Sequence, residues 1–239
     1  MKIRCIEAAL FTAFLIAVCF ASVKNAKLDG IRADSEKILR KNAVIILDAG
    51  HGGEDGGAVA ADGTNEKDIN LAIANDIAAL FEVFSIDYIA VRTEDLSVGD
   101  NSLPTQRERK KSDIKNREKL VNGTANAIFF SIHQNKYDVA KYSGTQVFYG
   151  AQNPESEILA QQIQDSVKAL LQPENTRQIM PSGDSIYLLY NATAPSVMTE
   201  CGFLSNPEEL LLLKDGTYQK KMAYAVFCGL QDYLNNFSM

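Results

Sequence analysis

Histidine is nearly absent from this chain: His51 and His133 are the two among 239 residues. An excess of positive charge is also missing. The net charge is −6, which argues against nucleic acid or an anionic membrane surface as the main partner. Cysteine is scarce. Cys5 and Cys19 fall in an N-terminal apolar run, and Cys201 and Cys228 lie far apart with no C-x-x-C spacing. The latter two read as small buried hydrophobes rather than as a disulfide or a metal pair. Internal repeats and low-complexity blocks are lacking too. No apolar run is long enough to be an obvious membrane span: Glu7 interrupts the first one and leaves residues 8–23, short for a spanning helix.

What is present starts with a leader. Met1-Lys2-Ile3-Arg4 gives a basic start to the apolar run Cys5–Val23, the layout of a signal peptide or an uncleaved signal anchor. Cys19 and Ala21 supply small residues for cleavage after Ala21. The expectation is a leader over 1–26, a charged linker over 27–42 and a folded domain over 43–239. The body is then exported and extracytoplasmic, either attached to the membrane by its N-terminal segment or secreted. Hydrophobic residues make up 46% of the chain, enough for a full core without disulfides or a structural metal.

The body is organised around Val44–Gly57. A β-branched and aliphatic run, Val44-Ile45-Ile46-Leu47, reads as a buried central strand. It stops in glycines at 50, 52, 53, 56 and 57, with His51 where the strand ends. Asn65-Glu66-Lys67-Asp68 opens an amphipathic helix carrying Ile69, Ala72, Ile73, Ile77, Leu80 and Phe81. Strands are expected at Tyr88–Val91, Ala127–Ile132, Thr145–Tyr149, Ser185–Tyr190 and Ser196–Thr199. Helices are expected at Gln106–Asn122, Glu155–Leu171, Pro207–Leu213 and Tyr218–Phe237. The basic block Arg107, Arg109, Lys110, Lys111 reads as a solvated helix face. This alternation predicts an α/β fold: one domain, with a mostly parallel twisted sheet and helices on both faces. Ligands then sit at the carboxyl ends of the strands.

Three expected strand ends carry His51, His133 and Glu200, and Glu66 starts the first long helix near the His51 loop. Two imidazoles and a carboxylate are a three-ligand set for catalytic zinc. A further carboxylate can move protons between water and a leaving amine.

Four blocks, in order, resemble the signature blocks of the zinc N-acetylmuramoyl-L-alanine amidases (type 3). They are Leu47–Gly53, Asn65–Leu71, Ser131–Asn135 and Glu200–Asn206. The resemblance covers about residues 43 to 236. It implies one zinc ion per chain held by His51, Glu66 and His133, with Glu200 as the catalytic glutamate. Arg117 and Asn135 match residues that would support the site. The implied reaction is hydrolysis of the amide joining the lactyl group of N-acetylmuramic acid to the L-alanine of the peptidoglycan stem peptide.

The short length, the leader, the lack of wall-binding repeats and Ser185-Ile186-Tyr187-Leu188-Leu189 look most like the spore-germination amidases, which prepare muramic δ-lactam in the cortex. The resemblance leaves room for an accessory activating protein that the residues do not identify. The chain departs from the family pattern at Ala49, where proline is usual, and at Gln134, Lys136 and Cys201. Strand alternation should turn the Cys201 thiol away from the site. Two rivals are a wall-binding protein of the same fold without chemistry, and a zinc peptidase acting within the stem peptide.

Overall fold

In a computed structural model of the chain, residues 42–235 are described; the leader and most of the linker fall outside them. Six strands form one sheet: β1 (Val44–Ala49), β2 (Tyr88–Ala90), β3 (Ala127–Asn135), β4 (Gln146–Tyr149), β5 (Met180–Pro181) and β6 (Ser196–Phe203). Their order is β2-β1-β3-β6-β4-β5. All pairings are parallel except β4 with β6.

Alternation along the strands feeds two cores. Ile45, Leu47, Ile128, Phe130, Ile132, Val197 and Cys201 face one side. There they meet Ile73, Ile77 and Phe81 of α1 (Glu66–Phe84), beside Leu159 and Ile163 of α3 (Glu155–Leu170) and Val226 and Leu230 of α6 (Gly216–Asn235). On the other side Ile46, Phe129 and Met198 meet Val121 of α2 (Gln106–Gly123) and Leu189 of α4 (Tyr187–Asn191). The short α5 (Pro207–Lys214) follows β6. This is the expected α/β sheet with helices on both faces. Helix α2 buries only Arg117 and Val121, so it is the narrow-faced basic helix that its sequence suggests. It is started by a capping box, in which Thr105 and Glu108 each bond the other's backbone.

The chain places β2 on one flank of β1 and then returns to lay β3 on the other. The reversal opens a crevice at the carboxyl ends of β1 and β3, where open α/β sheets bind ligands. His51 and His133 lie there.

Two expected boundaries are corrected. Strands β3 and β6 do not stop before His133 and Glu200; they run through them to Asn135 and Phe203. The other face stays buried beyond the polar residue, with Gln134 in β3 and Cys201 and Phe203 in β6, so the ladder continues. Ser185–Tyr190 is not a strand. Tyr187–Asn191 is a helical turn, with the amides of Tyr190 and Ala192 donating to the carbonyls of Ile186 and Leu188. Burial of Leu189 against the sheet and anchoring of Tyr187 to Glu118 outweigh the strand preference of so short a segment.

Among the described residues no helix is long and apolar enough to cross a membrane. The apolar run Cys5–Val23 lies outside them.

Candidate metal and catalytic site

The first wall of the site is the turn after β1. His51 adopts φ 64°, a left-handed conformation that costs a non-glycine residue energy and must be imposed by its surroundings. Arg117 Nη2 donates to the His51 carbonyl at 2.9 Å. Gly52 and Asp55 exchange backbone hydrogen bonds of 3.0 and 3.2 Å across the loop. Asp55 also meets His51 Nδ1 at 2.8 Å. The ring's other nitrogen, Nε2, lies 3.2 Å from Glu66 Oε2.

Glu66 is the first residue of α1, where a carboxylate is favoured by the helix dipole. His133 Nδ1 lies 2.9 Å from its Oε1. The amide of Gln134 and the side chain of Asn70 donate to that same oxygen at 3.1 and 3.2 Å, and the amide of Ala58 donates to Oε2 at 2.9 Å. Burial alone would raise the Glu66 pKa, but hydrogen bonds from both histidines hold it below the usual carboxylate range. Burial opposes charge on His51, and Asp55 and Glu66 outweigh it, lifting the imidazole to about 9. One potential ligand atom from each of His51, Glu66 and His133 lies within 4.8 Å of the others. Two nitrogens and an oxygen converging so closely suit a zinc ion with a remaining position for water or substrate.

Two glycines make the convergence sterically feasible. A Cβ on Gly50 would lie 2.1 Å from His133 Nε2, and one on Gly57, at φ 70°, would lie 2.6 Å from both Glu66 Oε2 and His51 Cδ2. These glycines make room for the three side chains themselves.

Glu200 sits on β6 in register with His133 on β3. Parallel register partners share a sheet face, so both project into one cavity of about 340 Å³ together with His51 and Glu66. Residues Ile186–Leu188 wall its other side. The Glu200 carboxylate is buried, and its Oε2 has no hydrogen-bond partner. Burial raises its pKa to about 7, against the pull of His133. A group so poised can both take and return a proton near neutral pH. The next residue, Cys201, faces the apolar core on the opposite side, with its thiol near the Thr199 carbonyl.

Beneath the site lies a buried ion pair whose carboxylate has no marked role in the sequence reading. Asp48 of β1 bonds Arg117 of α2 and accepts from the Ser131 hydroxyl at 2.6 Å. Arg117 also donates to Asp113 at 2.5 Å and to the Ala49 carbonyl at 3.2 Å. Burial alone would raise the Asp48 pKa; Arg117 and Ser131 hold it below the ordinary value. Replacing Arg117 by Met should leave Asp48 buried without its cation, and removal of one partner of such a pair costs about 3–5 kcal/mol. Denaturant unfolding of R117M should show a loss of that size, with part of it recovered in the double variant R117M/D48N.

Arg92 is a second buried guanidinium. It donates to the carbonyls of Ala49, Gly50, Lys67 and Glu94 at 2.8, 3.0, 2.8 and 3.1 Å. Its position just after β2 gave no sequence signal of this role. Asn135 is not brought into the cavity: the β3–β6 register shifts between His133 and Asn135, and Asn135 then pairs with Phe203. Lys136 donates to the Val59 carbonyl at 2.9 Å.

Residues 45–232 match the family model described as N-acetylmuramoyl-L-alanine amidase. The chain is 36% identical over 190 residues to the germination-specific N-acetylmuramoyl-L-alanine amidase of Bacillus subtilis, covering 80% of this chain and 79% of the relative. The solved structure of the CwlD amidase from Clostridioides difficile, in complex with the GerS lipoprotein, is 42% identical. It superposes with a TM-score of 0.78 over 81% of this chain and 98% of that one. An N-acetylmuramoyl-L-alanine amidase from Clostridium difficile 630 follows the same fold at 26% identity and TM-score 0.70, over 81% of this chain and 97% of that one.

Proposed function

The chain belongs to the N-acetylmuramoyl-L-alanine amidases, and from that premise we propose that it is a zinc-dependent amidase whose metal is held by His51, Glu66 and His133. The observation that carries this reading is the unpartnered, buried Glu200 oxygen facing the same cavity as the three converging side chains. A buried carboxylate oxygen without a partner is costly, and a proton-transfer task on a reacting molecule accounts for its retention.

The amide cleaved joins the lactyl group of N-acetylmuramic acid to L-alanine. Bound zinc supplies a Lewis acid that polarises a carbonyl and acidifies water from a pKa of about 15.7 to about 7. Glu200 accepts a proton from the attacking water as the water oxygen bonds to the carbonyl carbon. As the carbon–nitrogen bond breaks, the same carboxyl returns the proton to the departing amine. Arg117 and Arg92 fix the backbone carbonyls around His51, and Asn70 orients Glu66. Arg117 thus supports the site through the turn that carries His51.

We extend the reading to spore cortex, with removal of stem peptides ahead of muramic δ-lactam formation; the relative named as germination-specific supports it. A lipoprotein partner of the kind in the CwlD complex fits the same reading, as does export by the N-terminal leader.

Purified enzyme incubated with cortex and with vegetative wall should release intact stem peptides and leave muramic sugars without peptide. Mass spectrometry separates this from shortened peptides, the product of a peptidase. Prolonged dialysis against a strong chelator should remove the activity, and one equivalent of zinc should restore it. Wall binding without any product, with or without zinc, would point to the non-catalytic alternative.

A further inference from the structure

Outside the three converging residues, one carboxylate touches the His51 imidazole from behind. Asp55 Oδ2 lies 2.8 Å from His51 Nδ1, on the side of the ring opposite to the Nε2 that faces Glu66. A neutral imidazole has one donor and one acceptor nitrogen. A carboxylate receiving the Nδ1 proton leaves the Nε2 lone pair free.

Asp55 is itself held from two directions. Lys110 of α2 reaches its Oδ1 and Oδ2 at 3.0 and 2.9 Å, and the amide of Gly57 donates to Oδ1 at 3.3 Å. The backbone bridge between Gly52 and Asp55 closes the loop that joins Asp55 to His51. Lys110 belongs to the basic block that reads as a solvated face, and it has a definite contact: its side chain is half exposed yet lies at the cavity wall.

We infer that Asp55 is a positioning residue for the metal site, fixing His51 through Nδ1 so that Nε2 is the atom offered to the ion, and that Lys110 holds Asp55 in this orientation. The inference rests on the zinc reading above. Asp55 does not touch substrate; it acts through His51. Lys110 acts one step further back, so the zinc affinity of a loop ligand depends on a surface lysine of a separate helix.

The test uses the purified full-length chain and three variants: Asp55→Ala, Asp55→Asn and Lys110→Met. Zinc affinity is measured by competition with a chromophoric chelator, and the melting temperature of each metal-free protein is recorded. In D55A affinity should fall about 10- to 100-fold, the range seen when an outer partner of a ligating histidine is lost. D55N keeps an oxygen acceptor without its charge and should fall in between. K110M should weaken zinc several-fold while its metal-free melting temperature stays near that of the wild type.

Because the chain has two histidines, the ring protons of the zinc-loaded protein can be assigned by NMR. The His51 Nδ1 proton should give a slowly exchanging signal in the wild type and lose it in D55A. Wild-type zinc affinity retained in D55A would overturn the inference and leave the metal reading standing. So would an affinity loss matched by equal destabilisation of the metal-free protein with the Nδ1 signal kept, which would make Asp55 a loop support alone. A wild type that binds no zinc would overturn both readings.

Discussion

A glutamine at position 200 should leave zinc bound and the fold intact while lowering stem-peptide release by about 10³-fold or more, in the upper part of the 10²–10⁴ range for general acid–base groups. The side chain keeps its size and cavity position but can no longer take a proton from water. The carboxylate is also the one member of the cluster left without a hydrogen bond on Oε2, so removing its charge relieves a buried group instead of orphaning a partner. E200Q should accordingly unfold at the same denaturant concentration as the wild type or a higher one. Product release is followed by chromatography of wall digests, and metal content by elemental analysis. Normal turnover in E200Q would remove Glu200 from the chemistry. Loss of zinc alongside turnover would make it a ligand instead.

The second large effect is expected from a single methyl group. Gly50 has no positive φ to strain, yet an alanine there would place its Cβ 2.1 Å from His133 Nε2. Carbon and nitrogen need about 3.5 Å, so the imidazole must move by more than 1 Å, a displacement that can cost about 10²-fold in rate. G50A should lose at least that much activity and bind zinc more weakly. Gly63 supplies the control. It has φ 89°, and a Cβ added there would meet nothing within 4 Å, so G63A should cost about 1–2 kcal/mol of backbone strain and leave zinc affinity unchanged. Chelator competition and thermal unfolding, run on both variants, separate the two causes. Unaltered zinc binding in G50A would mean that the ring has room the structure does not give it.

The sequence carried the sheet class and the converging residues because each had a local mark. His51 and His133 stand out in a chain with no other histidine, and Glu200 follows an apolar run. Local marks mislead at the edges of elements. A polar residue inside a strand reads as its end, but His133 and Glu200 are polar only toward the cavity, while Ile132 and Cys201 keep the other face in the core. Ser185–Tyr190 is apolar enough for a strand, and only the packing of Leu189 and the bond from Tyr187 to Glu118 make it helical. Residues 180–181 form an edge strand too short to show any periodicity.

The supporting shell was less legible still. Asp48 and Arg117 are 69 positions apart, and Arg92 and the Ala49 carbonyl 43; nothing local announces either pairing. Asp48 did leave one clue: a carboxylate at the end of a buried strand needs a cation or donors nearby. The glycines were legible as permissive backbone, but their neighbours were not; Gly50 and Gly57 accommodate His133, Glu66 and His51.

The register between His133 and Glu200 divides the site into parts of unequal tolerance. Paired strands stand about 4.8 Å apart, and β1 and β4 hold β3 and β6 in place from the two flanks. His51 and Glu66 belong instead to a glycine loop and a helix start. The His51 turn is held by bonds from Arg117, Arg92 and Asp55, so a single substitution in that set can shift His51 without altering the strand spacing between Glu200 and His133. Spacing is set by the sheet, and the position of His51 by a few side chains.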